Sequence, residues 1–498
     1  MDTYTTPTPL VTDHRLRLII FFFLSSAMFM ATLDNQIVST ALPTIVGEFG
    51  HLERFGWIGS SYLLASSAVM PIYGKIGDLF GRKYVIMTAI TIFTIGSAVC
   101  GLAISMNTLI AARVLQGLGG GGIMVSIFSI NADLFQPRER ARYQSYSSLV
   151  LMASGAIGPV LGGTMSELFG WRSIFLVNIP VGIIVLIGLF LMLPYRKPER
   201  KPKIDYAGAV LLAMTTSCIV LTADSAELFG SLISPQSALL VGLAGVCAIS
   251  WILVERRAAE PIVPPALFRN PTFPLLLIIS ITSGAIAIGM VNYFALYLQT
   301  TTGLSPSQAG VFFILLTGGI VCGSLTAGRL ISTTGRYKPL CLASLSLSAV
   351  VFMLFSQMPA GTPVYLIGIL MAMHGIGIGL GQQVPVIGVQ NAAENRDVGA
   401  ATGAVTLSRM GGASIAISIY GAIIAAGLSR GSVVIPGGGS IEQLTPRMLG
   451  MLPASVRQAV ADNYAAAFMP LFLTSACFAI TGLAAAFMLK PVLLPTSK

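Results

Sequence analysis

Fourteen long apolar runs, separated by short polar segments, constrain this chain more than any other feature. They lie near residues 18–46, 57–74, 84–104, 108–131, 146–167, 173–193, 207–228, 236–254, 273–298, 309–330, 338–356, 363–387, 398–426 and 465–489. A helix that crosses a bilayer needs about 20 mostly apolar residues, so each run is long enough to span as a helix that satisfies its own backbone. Of the 498 residues, 54% are hydrophobic and 10% charged, a balance no soluble core of ordinary size absorbs. The expected fold class is therefore all-α and integral to the membrane, with 14 transmembrane helices.

Cytoplasmic loops of membrane proteins collect Lys and Arg, which tests the count. With the N-terminus inside, the 29 Lys and Arg residues divide into 22 in inner segments, 5 in outer segments (Arg54, Arg172, Arg430, Arg447 and Arg457) and 2 within spans. A miscounted odd span would scramble this alternation, so an even number with both termini cytoplasmic is expected. The net charge of +10 is spread in these short clusters and forms no continuous basic stripe, which argues against a nucleic-acid partner. The first run carries Asp34 and exceeds signal-peptide length, so it reads as a retained span. All six cysteines fall inside apolar runs without paired spacing, giving no support for a disulfide framework or a metal site.

The spacing repeats. Gly74-Lys75 is followed by Gly81-Arg82, and Gly328-Arg329 by Gly335-Arg336, each copy after the second span of a six-span half. Two parallel six-helix repeats describe one large class of secondary transporters. The expected organisation is a six-helix half at 1–195, a two-helix insertion with basic linkers at 196–272, and a second half at 273–498 with an outer connection at about 427–463. Within that connection, Ser455 to Asn463 reads as a short amphipathic surface helix of unread function.

An ionisable group at membrane depth demands a partner or a purpose. Asp34 is the clearest case, set among Asn35, Gln36, Ser39 and Thr40 and followed by Pro43, which is expected to loosen the helix. Proton exchange and permanent structural pairing with arginine both fit it. Arg113, followed by Gln116, is its candidate partner or proton-release trigger, with a packing role equally open. Arg409 and the lone intramembrane His374 join Gln36 and Gln116 as candidate cavity residues, though snorkelling and packing fit these two as well.

Gly117 to Gly122 formally matches the dinucleotide fingerprint, but it lies in an apolar run with no βαβ context, so close helix packing explains it better. Gly155, Gly158, Pro159, Gly162 and Gly163 combine small residues with a helix-disrupting proline, which predicts a kinked fifth span. A gate and ordinary tight packing both fit. Gly74 to Lys83 reads as a loop turned by its glycines, in which Asp78, Arg82 and Asp133 are placed to form a latch or merely a solvated turn. Three scattered histidines and no H-E-x-x-H motif argue against a membrane-embedded enzyme, and no filter-like segment suggests a channel.

These residues resemble the major facilitator superfamily and, within it, the 14-helix drug/proton antiporter family of quaternary-ammonium and multidrug exporters. Leu33 to Pro43 resembles that family's first-helix signature, Gly74 to Lys83 the superfamily loop, Arg113 with Gln116-Gly117 the fourth-helix motif, and Gly155 to Gly163 the antiporter motif. Trp171-Arg172, Phe175, Asn178, Pro180 and Gly182 fit as well, as does Tyr297-Leu298-Gln299 followed by Gly303, Ser305-Pro306, Ala309 and Gly310. The resemblance implies alternating access in a bacterial cytoplasmic (inner) membrane and efflux of small amphipathic or cationic drugs and antiseptics. It implies the proton gradient as driving force, with no cofactor. It also implies proton handling at Asp34, coupling through Arg113, a latch among Asp78, Arg82 and Asp133, and gating by the fifth helix. Lipid, small-molecule cargo and protons are the expected partners, and a periplasmic adaptor is unread. Gln36 and Ser39 depart from the usual Thr and Asn, and Ser332 stands where the first repeat has Asp78. An exporter or uptake permease for a lipid or metabolite on the same fold is the alternative.

Overall fold

The computed structural model describes residues 10–49, 55–196, 205–223, 225, 229, 234–304, 306–429 and 453–494. Among them every regular element is helical, apart from one isolated bridge between Arg336 and Leu493. Among the described residues, three of the fourteen apolar runs form two helices in series.

The first half comprises α1 (His14–Phe49), α2 (Phe55–Phe80), α3 (Arg82–Gly101), α4 (Met106–Leu134), α5 (Pro137–Phe169), the short α6 (Ser173–Leu176) and α7 (Asn178–Met192). The insertion holds α8 (Tyr206–Ala223) and α9 (Pro235–Glu255). The second half comprises α10 (Thr272–Ala287), α11 (Val291–Thr301), α12 (Pro306–Thr334), α13 (Lys338–Phe355), α14 (Val364–Gly381), α15 (Val384–Ala392), α16 (Val398–Ser429) and α17 (Ala454–Met488). Ten helical stretches are long and apolar enough to cross a membrane by length and composition, and the chain is a multi-pass membrane protein.

α1 is helical throughout its 36 residues and α5 throughout its 33, with the side chains of Pro43 and Pro159 outside the described residues. Breaks occur at Gln382–Gln383, where Pro385 in the first turn of α15 lacks the N–H to continue the ladder, and around Gly289. Several expectations need correction. The loop Gly74 to Lys83 is mostly helix. Only Gly81 turns, at φ 93°, and Gly335 does the same at φ 70° in the second repeat. Ser455–Asn463 forms the first turns of α17, so no separate surface helix exists there. The basic stretch 197–204 and residues 430–452 of the outer connection lie outside the described residues.

Glycines let α4 lie backbone to backbone on its neighbours. A Cβ at Gly121 would overlap the Ser66 carbonyl of α2, and one at Gly119 the backbone of Phe93 in α3. The inserted helix α9 is the opposite case: only 11% of its apolar window is buried, so most of its surface suits hydrocarbon.

The halves meet at the end that carries the Gly81 and Gly335 turns, called here the basic end. α2 crosses α16 there, with Gly74 against Gly399 and Gly403 against Pro71, while Gly328 of α12 packs on Ser145 of α5. Further along, Cβ positions at Gly59 in α2 and Gly411 in α16 meet open space.

Candidate functional site

Asp34 lies at the centre of a buried polar network inside the first half. Its Oδ2 accepts from Arg113 Nη1 at 2.5 Å, and its Oδ1 accepts from Gln116 Nε2 at 2.9 Å and Asn178 Nδ2 at 2.7 Å. Both charged side chains are 0% exposed. Ser97 Oγ accepts from Gln116 (3.0 Å) and Asn178 (2.9 Å), closing a ring across α1, α3, α4 and α7. Arg113 also donates from Nη1 to Gln116 Oε1 at 2.6 Å and from Nε to the Ile58 carbonyl at 3.1 Å, and its guanidinium carbon stands 4.4 Å from the centre of the Tyr62 ring. Its Nη2 has no partner. A carboxylate and a guanidinium removed from water hold charge only together, so a proton arriving at Asp34 would release Arg113.

The sequence reading named Asp34, Arg113 and Gln116 but missed Asn178, Ser97 and Tyr62 as network members. Small polar residues in apolar runs carry no spacing signal, and the crossing of four helices selects them. Gln36 does not join the network. It is exposed on another face of α1, with its Cβ where a side chain at Gly158 of α5 would sit. Thr32 Oγ1 donates to Ser154 Oγ at 2.8 Å in the same seam, so the small-residue motif of α5 seats that helix on α1. Gly162 is buried, whereas a Cβ at Gly163 would meet open space.

At the basic end, Arg82 pairs with Asp78 Oδ1 at 3.1 Å and Asp133 Oδ1 at 2.9 Å, and also donates to the Ser129 carbonyl. Asp78 accepts from the backbone N–H of Gly399 (3.1 Å) and Ala400 (3.0 Å) in the first turn of α16, placing a carboxylate on a helix N-terminus of the other half. The second repeat lacks this: Ser332 Oγ donates only to its own helix at Arg329 O. Arg138 of α5 reaches across there instead, donating to Leu494 O at 2.9 Å.

Several cross-links had no signal in the sequence. Lys75, 3% exposed, binds Glu260 of the linker after α9 at 2.9 Å and Asp397 at 3.7 Å. Gln390 Oε1 accepts from Gln144 at 3.2 Å and Arg140 at 3.3 Å, and Gln383 Nε2 donates to Ser148 Oγ at 2.8 Å.

His374 is not a cavity residue. It is fully buried against the rings of Phe294 and Phe352 within the second half, with Nε2 3.1 Å from Ile286 O. Arg409 is half-buried and donates to the Gln382 carbonyl at the break between α14 and α15.

Beyond the apolar run of α1, Arg172 grips Glu48 with two bonds of 2.9 and 2.7 Å, and Trp171 Nε1 adds a third at 2.7 Å. The Arg172 bond, then the Trp171 bond, hold the Glu48 carboxyl below its usual range. A depressed carboxylate contributes stability above its unfolded value of 4.5 and loses it as pH falls through and below that value. Thermal unfolding followed from pH 6 to 3 is expected to show an acid-side loss that Glu48→Gln flattens, below about 1 kcal/mol because the pair is exposed. Identical profiles would refute this.

A family model described as the Major Facilitator Superfamily matches residues 24–417. An MFS-type transporter of Mycobacterium tuberculosis (strain ATCC 25618 / H37Rv) is 34% identical over 490 residues, covering 97% of this chain and 71% of the relative. Multidrug resistance protein 3 of Bacillus subtilis (strain 168) is 32% identical, covering 79% and 77%. Among solved structures, the human organic anion transporter MFSD10 superposes with a TM-score of 0.61 at 14% identity, covering 93% of this chain and 99% of that one. The proton:xylose symporter XylE gives 0.60 at 13%, covering 93% and 95%.

Proposed function

Because this chain belongs to the major facilitator superfamily, we propose that it is a proton-coupled antiporter exporting small amphipathic molecules by alternating access. It is a transporter, not an enzyme, and its relatives include a protein named for multidrug resistance. That name supports export over uptake. The observation carrying the proton half of the proposal is the fully buried Asp34–Arg113 pair.

In this mechanism the halves, joined at the basic end, part toward the outside, and the basic end faces the cytoplasm of a bacterial inner membrane, as the division of Lys and Arg supports. A proton entering from outside binds Asp34, its charge is cancelled, and Arg113 Nη1 is freed to re-pair. The ring across α1, α3, α4 and α7 then repacks, and the change reaches the basic end along α2 and α4, where Asp78 leaves the first turn of α16. Cargo enters from the inner side. A cargo carrying positive charge would compete with Arg113 for Asp34, which is how the cationic preference expected from the sequence enters the mechanism.

The test is proton movement by purified protein in liposomes on addition of ethidium. The wild type is expected to exchange dye for protons, and Asp34→Asn to retain dye equilibration without proton movement. Unchanged dye-driven proton flux in the variant would remove Asp34 as the coupling site.

A further inference from the structure

Among the described residues, Arg409 of the second half has no carboxylate partner. Between Thr272 and Ser429 the only acidic residues are Glu394 and Asp397. Both lie at the basic end, where Glu394 pairs with Arg396 at 2.7 Å and Asp397 faces Lys75 and Arg396. Arg409 lies twelve residues further along α16, roughly 18 Å away by the helical rise. In the other half, the carboxylate at membrane depth is Asp34, already enclosed by Arg113, Gln116 and Asn178.

Arg409 has five N–H donors, one of which meets the Gln382 carbonyl. The same Gln382 leaves its side-chain Nε2 buried without a partner. This donor-rich, acceptor-poor spot lies beside the seam between the halves. The adjacent residue Gln383 donates to Ser148 of α5 in the other half at 2.8 Å. A part-buried arginine at membrane depth without a carboxylate partner calls for a counter-charge, and a planar fork of donors matches a carboxylate best.

We propose that Arg409 reads an acidic group on the cargo, so that the preferred substrates are amphipathic acids and zwitterions carrying a carboxylate. The proposal rests on the export reading above. It adds a recognition point in the second half, distinct from the proton site in the first.

Rhodamine 110, a zwitterion with a free carboxylate, and rhodamine 123, its methyl ester, differ at this one group. Binding of each to the purified protein in nanodiscs, followed by fluorescence anisotropy, gives an acid-over-ester preference. The wild type is expected to favour the acid, Arg409→Gln to lower that preference by about 10- to 100-fold, and Arg409→Lys to keep part of it. The same preference in wild type and Arg409→Gln, or no wild-type binding of the acid, overturns the proposal. Proton-linked transport of both dyes in liposomes separates the two readings. If the ester moves against protons but no carboxylate preference exists, the role of Arg409 fails and export stands. If neither dye moves while the preference follows Arg409 in binding, the export reading fails and the site stands.

Discussion

Replacing Arg113 with glutamine is expected to lower stability by about 3–5 kcal/mol, because it strands the fully buried carboxylate of Asp34 among neutral donors. The amides of Gln116 and Asn178 remain on Oδ1, but no cation is left for Oδ2. The charge is then retained at high cost or neutralised by a proton. Asp34→Asn combined with Arg113→Gln removes both charges and keeps the ring hydrogen-bonded, so more than half of the lost stability should return. The measurement is a double-mutant cycle of unfolding in mild detergent by intrinsic fluorescence. Strict additivity, with the double variant as damaged as the two single losses summed, would show that the pair is not energetically coupled.

The second large effect is conformational. Gly74→Val places a side chain against the carbonyl of Gly399, backbone atoms of a helix in the other half that cannot step aside as a flexible side chain would. Overpacking costs about 1–3 kcal/mol, and the upper end applies to a backbone collision. At 3 kcal/mol the ratio of closed to open basic end shifts by roughly 150-fold. Each half keeps its own packing, so the variant is expected to fold but to lose transport. Thr402 is fully buried behind Gln390 in the closed form. A cysteine placed there, with exposed Cys322 and Cys477 changed to serine, should react with a thiol reagent far faster in Gly74→Val than in the parent. Equal labelling rates would refute the collision.

What separates these two sites is how each became legible. Asp34 and Arg113 stand out in the sequence because a charge inside an apolar run is costly wherever the helix ends up. Asn178 and Ser97 are no less part of the network, yet a serine or asparagine in a span is inexpensive, and only convergence on one carboxylate gives it meaning. His374 illustrates the reverse: its rarity drew a functional expectation, and the rings of Phe294 and Phe352 place it in packing.

Hydropathy was sufficient for an all-helical membrane fold, and the paired glycine-basic spacing for the matching turns at Gly81 and Gly335, since lipid forces every backbone group into a helix. Tertiary structure decided the rest. It turned an anticipated glycine loop into helix with one turning residue, gave Gly74 and Gly399 their meaning as a contact between halves, and set Asp78 on the first turn of α16. It also left Arg409 on the Gln382 carbonyl without a carboxylate among the described residues. These depend on which helix faces which, and side chains far apart in the chain acquire a common field only when packing brings them within a few ångströms.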